Sequence, residues 1–282
     1  MDIKGSTNIV GLIGHPVEHS FSPPMHNAAF EALEMDYAYV AFDVDPLKLK
    51  SAIDGAKSLN IRGFNVTIPH KIDVMKHLDE IDEVAALIGA VNTIDFENMK
   101  GYNTDGIGAV KAIEEVTSIK NKNVVVAGAG GASRAISFYI AKYGADSLTI
   151  LNRNVEKADN LAKDVSSSNL INEVKSDSMS EINSHVADAD ILIDTTPVGM
   201  HPNVDVEPIV LADNMHDDLV VFDAVYNPND TVLIKEAVKA GAKPVYGIKM
   251  LLYQGAESFR IWTGRDAPVD VMEDALRKTL GL

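Results

Sequence analysis

The sequence predicts an α/β protein with mostly parallel sheets, arranged in two domains. Three observations carry that expectation. Short apolar runs of strand length recur along the chain at residues 8–13, 123–127, 191–194 and 219–223, and helical patterns lie between them. A glycine-rich turn, Gly128-Ala129-Gly130-Gly131-Ala132-Ser133, joins one of these runs to a helix inside a βαβ unit. At 282 residues the chain is long enough to bury two cores.

Taken in order, residues 8–13 read as a buried strand closed by Gly14, and His15-Pro16 breaks it. In Ser20-Phe21-Ser22-Pro23, Ser22 reads as a helix cap with Pro23 at the first helical position, the helix continuing through Ala28, Ala29, Leu33 and Met35. A strand is expected at 37–44 and a helix at 46–59. In Gly63-Phe64-Asn65-Val66-Thr67-Ile68-Pro69-His70-Lys71, apolar and polar residues alternate, the period of a strand with unlike faces. Pro69 ends it and opens a helix running to about 78. Lys71 then lies just past the strand end beside Asn65 and Thr67, so three polar groups address one spot. Next come a helix over 80–88, a strand over 93–96, a turn at Lys100-Gly101, and a helix capped by Thr104 and running to 116.

In the second half the βαβ unit pairs strand 123–127 with strand 147–151, and Asn154 caps the helix over 155–165. Strands 191–194, 219–223 and 244–246 follow, with helices over 231–240, 248–262 and 269–280.

Composition narrows the function. A formal net charge of −16 argues against nucleic acid or an anionic membrane as partner. With no cysteine, disulfides, zinc-thiolate sites, iron–sulfur clusters and cysteine nucleophiles are excluded. His185, His201 and His216 show no ligand-like spacing, so no metal site is expected. The start, Met1 to Ser6, has no apolar leader core, and no apolar run approaches membrane-spanning length, so a cytoplasmic protein is expected.

The glycine turn points to a dinucleotide. Gly128 permits the tight turn and Gly130 lets a pyrophosphate approach the backbone, while Ser133 replaces the usual third glycine. At the end of the next strand, where NAD sites carry an acid, stand Asn152 and Arg153, with Lys157 one helical turn on. A guanidinium there grips a 2′-phosphate or stacks on adenine, so NADP is expected in preference to NAD. Cofactor chemistry of this kind needs a proton-handling group, and Lys71 and Asp105, each following a strand with polar groups, are expected to meet. Ser20 and Ser22, at a helix start with free N–H groups, make a seat for a carboxylate.

Together these motifs resemble the shikimate dehydrogenase family along the whole chain. The match rests on Ser20-x-Ser22-Pro23-x-x-His26-Asn27, the 63–71 stretch, Ala90-Val91-Asn92-Thr93, Asn103-Thr104-Asp105-Gly106, the glycine turn, Asn152-Arg153, Thr195-Thr196-Pro197-Val198-Gly199-Met200 and Gln254. The resemblance implies reversible NADPH-dependent reduction of 3-dehydroshikimate to shikimate, on the route to chorismate and the aromatic amino acids. It implies a catalytic pair, Lys71 and Asp105, and a substrate site of Ser20, Ser22, Asn65, Thr67, Asn92, Asp105, Tyr226 and Gln254. For the cofactor it implies Gly128, Ala129, Gly130, Gly131, Ala132, Asn152, Arg153, Lys157, Thr195, Gly247 and Met250. Two positions depart from the usual pattern: Lys157 stands where an Arg is common, and Lys249 puts a cation near the cofactor.

The resemblance also implies the architecture. An N-terminal open α/β sandwich, residues 1–104, would bind substrate, with residues 248–282 returning to it so that Gln254 can reach the site. Residues 105–247 would form a Rossmann-like doubly wound NADP domain, with the active site in the cleft. A homodimer is one option for the oligomeric state. Two alternatives stand: an NAD-preferring quinate/shikimate dehydrogenase, and a non-catalytic NADP- or shikimate-responsive regulator.

Overall fold

The computed structural model describes residues 3–282; Met1 and Asp2, the first residues of the stretch read for a leader, lie outside it. The chain divides into two compact units, one running to Thr104 and resuming over Leu252–Leu282, the other Asp105–Leu251.

The first unit contains β1 (Asn8–Gly14), α1 (Ser22–Ala32), β2 (Tyr37–Asp43), α2 (Leu49–Ser58), β3 (Gly63–Val66), β4 (Glu80–Ile81), α3 (Glu83–Ile88), β5 (Thr93–Asp95) and β6 (Lys100–Tyr102). The second holds α4 (Asp105–Glu114), β7 (Asn123–Ala127), α5 (Gly131–Lys142), β8 (Ser147–Asn152), α6 (Val155–Ser167), β9 (Glu173–Ser178), α7 (Ile182–Val186), β10 (Ile191–Asp194), β11 (Val220–Asp223), α8 (Val232–Ala240) and β12 (Lys243–Val245). The division falls inside α9 (Gly247–Thr263), and α10 (Val269–Leu280) closes the chain.

The first sheet runs β2-β1-β3-β5-β6-β4. It is mixed rather than mostly parallel. β1 lies parallel to β2 and β3, but β5 is antiparallel to both β3 and β6. The link from β5 to β6 is too short for a parallel crossover. Asp95 sets that link: its carboxylate accepts from the Glu97 N–H at 3.0 Å and from Asn98 Nδ2 at 2.8 Å. The turn therefore occupies residues 96–99, and Lys100 and Gly101, expected in the turn, belong to β6.

β3 corrects a second expectation. All four of its residues are buried, so the strand has no solvent face. Gly63 and Asn65 point toward α9, where Trp262 and Ser258 lie. Phe64 and Val66 point to the opposite core with Leu49 and Ile53 of α2. Residues 67–72 form turns and residues 73–77 only a 3-10 helix, not the α-helix expected from Pro69. His70 explains the anchoring of this segment: it is buried, and its Nε2 donates to the Val44 carbonyl at 2.7 Å. Two smaller boundaries also move. Asp82 caps α3 by accepting from the Val84 and Ala85 N–H groups, which releases residues 80–81 to pair as β4. The helix expected over 46–59 is a 3-10 turn capped by Asp45, followed by α2.

The second sheet is wholly parallel, in the order β12-β11-β10-β7-β8-β9. Counted from β7, this is the doubly wound order 6-5-4-1-2-3. The direction of winding switches between β7 and β10, the place where such sheets bind ligands. Residues Ile182 and Val186 of α7 and Leu233 and Ala237 of α8 cover one face. β9 and α7 had no counterpart in the sequence reading. β9, Glu-Val-Lys-Ser-Asp-Ser, is a polar edge strand with no apolar run to mark it.

Gly63 is required by packing. A Cβ there would lie 2.0 Å from Trp262 Nε1 and 2.6 Å from the Ile94 carbonyl oxygen. The Trp262 N–H donates to that same carbonyl at 2.9 Å, so the ring cannot move aside without losing a buried bond. Gly63→Ala is expected to cost about 1–3 kcal/mol by overpacking, read as a lower urea midpoint.

Candidate functional site

In the first unit, Asn65, Asn92 and the Gln254 carbonyl, among the residues picked from sequence, belong to one buried network. Tyr39 on β2 donates its hydroxyl to Asn65 Oδ1 at 2.8 Å. Asn65 Nδ2 donates to Thr93 Oγ1 at 3.0 Å and to Ser258 Oγ at 2.9 Å. Asn92 Oδ1 accepts the Thr104 N–H at 2.7 Å, and Asn92 Nδ2 donates to Thr104 Oγ1 at 3.0 Å. Ser258 Oγ donates to the Gln254 carbonyl at 2.9 Å, one turn back along α9. These side chains are buried, Gln254 at 9% exposure and Asn92 at 3%.

Lys71 borders this network through the backbone. The Lys71 carbonyl accepts the Val91 N–H at 2.8 Å, next to Asn92. Asp105 follows Thr104 and opens α4. Both residues are half-buried, as is Thr67.

The serine pair differs from the cap that was expected. Phe21, not Ser22, occupies the cap position of α1, and no side chain caps it there. Instead Ser20 Oγ accepts the Ser22 N–H at 3.2 Å. Ser20 spends a lone pair in that bond and keeps its own O–H to donate. Behind it His26 is wholly buried and stacked on Tyr39 at 4.4 Å between ring centroids, and burial pushes its pKa down to about 3.

In the second unit a groove of about 930 Å³ opens at the switch point, lined by Gly128, Gly130, Arg153, Lys157 and Thr195 among others. Gly128 has φ +109°, and a Cβ on it would come within 2.3 Å of Thr195 Oγ1. Ser133, the residue that departs from the glycine fingerprint, is buried and donates to the Gly128 carbonyl at 2.7 Å. It therefore pins the turn from below. Gly130 is the cap of α5 and offers no side chain, which leaves the first N–H groups of a 12-residue helix free of a side-chain cap. A phosphate fits that arrangement.

At the end of β8, Asn152 Nδ2 donates to the Asn154 carbonyl at 3.0 Å, and Asn154 caps α6 through the Lys157 N–H. Those bonds shape the turn that carries Arg153 and Lys157, both exposed. The groove's one lining carboxylate, Glu207, lies outside this turn. Ala129 and Asn152 also line the groove; Gly131 and Ala132 form the first turn of α5; Gly247 and Met250 are not among the lining residues. Gly247 is explained by a close approach, since its Cβ would lie 2.5 Å from the Val225 carbonyl oxygen. Lys249 was expected to put a cation near the cofactor. It pairs with Glu115 at 3.4 Å. Tyr226 lies after β11, half-buried, and burial raises its phenol above the usual range.

Sequence reasoning missed Tyr39, Thr93, Thr104 as a network member, and Ser258. Ser258 had a signal: it stands four residues after Gln254 on a helix face otherwise made of Leu252, Phe259 and Trp262.

Three family models match the chain: the shikimate dehydrogenase substrate binding domain over residues 12–94, shikimate/quinate 5-dehydrogenase over 110–237, and the shikimate 5′-dehydrogenase C-terminal domain over 247–277. The NADP(+)-dependent shikimate dehydrogenase of Methanobrevibacter smithii is 72% identical over 280 residues, covering 99% of this chain and all of that protein. The chain belongs to the shikimate dehydrogenase family. A second relative, the NADP(+)-dependent shikimate dehydrogenase of Methanothermobacter thermautotrophicus, is 55% identical and covers 99% of each chain. Among solved structures, a shikimate dehydrogenase in complex with NADP+ superposes with a TM-score of 0.93 at 53% identity, covering 99% of this chain and 98% of that one.

Beside the groove of the second unit lies a buried acid pair. Asp194 ends β10 and Asp223 ends β11, opposite one another in register. Asp223 is satisfied by the Val225 N–H and the Thr231 hydroxyl. Asp194 Oδ1 accepts the Thr196 N–H at 2.7 Å, but Oδ2 has no partner. Burial, then the neighbouring Asp223, pushes the Asp194 pKa up to about 8; burial alone pushes Asp223 up to about 6. A carboxyl whose folded pKa exceeds its unfolded value holds a proton that the unfolded chain has lost, so stability falls as pH rises through that interval. Stability is expected to decline from about pH 4 to about pH 8 on account of Asp194. Asp194→Asn should flatten that decline, measured by urea unfolding across the range.

Proposed function

We propose that this protein is an NADP-dependent shikimate dehydrogenase, catalysing reversible reduction of 3-dehydroshikimate to shikimate on the way to chorismate. The observation that carries it is the pairing of a phosphate-ready glycine turn with Arg153 and Lys157 at the end of β8, in a chain 72% identical to a named member of the family. An NAD-preferring enzyme would place an acid at the end of β8, where Asn152 and Arg153 stand. Bound NADPH supplies the hydride. The α5 N-terminus and Gly128–Gly130 hold the pyrophosphate, and Arg153 and Lys157 take the 2′-phosphate.

Ser20 and Ser22 seat the substrate carboxylate with hydroxyl and helix-start N–H groups, which supply attraction locally in a protein of net charge −16. Asn65, Asn92, Asp105 and Gln254 hold the ring hydroxyls, with Thr67 nearby, and Tyr226 lies by the substrate. Lys71 and Asp105 are the proton-handling pair: the amine gives a proton to the oxygen formed from the ketone and takes it back in reverse, and the carboxylate holds the amine in place. A small-molecule substrate, no nucleic-acid partner and a cytoplasmic site of action belong to the same proposal. No helix among the described residues is long and apolar enough to cross a membrane.

Lys71→Ala is expected to lower kcat by roughly 10²–10⁴-fold with little change in KM, followed at 340 nm with shikimate and NADP. Arg153→Ala should weaken NADPH far more than NADH in the same assay. Equal losses for both cofactors would remove Arg153 from 2′-phosphate recognition.

A further inference from the structure

Proton accounting in the buried network fixes the orientation of the Asn65 amide. Ser258 has one hydroxyl proton, and the Gln254 carbonyl takes it at 2.9 Å. Thr93 has one as well, facing Asn92 Oδ1 at 3.0 Å and the Ser258 hydroxyl at 2.8 Å, where either oxygen can be the donor. What fixes the amide is the Asn92 backbone carbonyl, which can only accept: the Asn65 NH2 faces it at 3.3 Å, and the same NH2 donates to the Thr93 and Ser258 oxygens at 3.0 and 2.9 Å. Asn65 Oδ1 is thereby turned toward Tyr39, whose hydroxyl donates to it at 2.8 Å. Both amide protons are spent inside the protein, and what Asn65 retains is a second lone pair on Oδ1.

Tyr39 is held for this task. It is 3% exposed, and its ring lies flat on His26, with 1° between the planes. Burial drives its phenol well above the usual range, so it stays a neutral donor, and the Ser22 hydroxyl, hydrogen-bonded to the same oxygen, only partly offsets the shift. One phenol therefore joins Ser22 of α1 to Asn65 of β3, and Ser258 joins Asn65 to the turn of α9 that carries Gln254.

We propose that Tyr39 and Ser258 are positioning residues that lock the Asn65 amide as an acceptor, so that the substrate group read at Asn65 must be a hydroxyl. This rests on the shikimate dehydrogenase reading and adds to it a stated hydrogen-bond polarity at one subsite. Neither residue touches substrate in this account. A ketone oxygen presented to Asn65 would meet a lone pair and be repelled, so this subsite binds a ring position that stays a hydroxyl throughout the reaction.

The test is steady-state kinetics of Tyr39→Phe and Ser258→Ala with shikimate and with each of its three mono-deoxy analogues, NADP being varied in parallel. Tyr39→Phe keeps the ring on His26, and Ser258→Ala offers a second, independent cut should the first fail to fold. The expected result is a KM for shikimate raised about ten-fold in each variant, with kcat within about two-fold and the KM for NADP unchanged. With the one deoxy analogue that lacks the hydroxyl read by Asn65, the penalty should disappear, because the wild-type enzyme has no bond there to lose. A wild-type KM for shikimate in both variants, or an equal penalty for shikimate and all three analogues, overturns the proposal. A wild-type protein that does not turn over shikimate with NADP overturns the function reading itself, and this inference with it. Wild-type turnover with unaltered variants sinks the inference alone.

Discussion

Asn65 is a polar side chain on a strand covered on both faces, and its amide must be satisfied without water. A buried amide without partners costs on the order of 1–3 kcal/mol, which is a sizeable part of the stability of a typical domain. The chain meets that need by bringing hydroxyls from β2, β5 and α9 to one point. The same requirement draws the late helix α9 onto the sheet, because Ser258 can reach Asn65 only from there. Trp262, one turn further along α9, fits against Gly63 two residues before Asn65, so packing and hydrogen bonding fix the same register.

The groove of the second unit is governed by backbone rather than side chains. The wholly parallel sheet delivers the ends of β7 and β10 side by side, and Gly128 and Thr195 approach so closely that no Cβ fits between them. Ser133 and the Thr195 hydroxyl each bond a carbonyl of that turn, Gly128 and Ala127 respectively, at 2.7 Å. The groove's shape is thus set by short bonds behind it, while Arg153 and Lys157 stay exposed at its edge. The exposed cations and the bonds that hold the groove's shape thus belong to different residues.

The second sheet was legible because parallel strands buried on both faces are continuous apolar runs, as in Val124-Val125-Val126 and Ile191-Leu192-Ile193. The first was misread wherever a short polar side chain outweighed periodicity. Asp95 moved a turn, Asp82 shortened a helix into a strand and a helix, and the alternation of Phe64, Asn65 and Val66 suggested a wet face that α9 covers from nearly 200 residues away. Such distant cover leaves no local trace. At the candidate site, the residues chosen from motifs were named one by one, but Tyr39 and Ser258 were not. A tyrosine in a strand and a serine in a helix are ordinary in isolation, and only the three-dimensional inventory of donors and acceptors gives them a task.

The buried Asp194 has a calorimetric consequence. Near pH 7 the folded protein carries a proton on this carboxyl that the unfolded chain gives up to the buffer. The heat absorbed on melting therefore includes the ionisation heat of whichever buffer receives that proton. Apparent unfolding enthalpies in phosphate and in an amine buffer will differ by that amount, even with every contact in the fold unchanged.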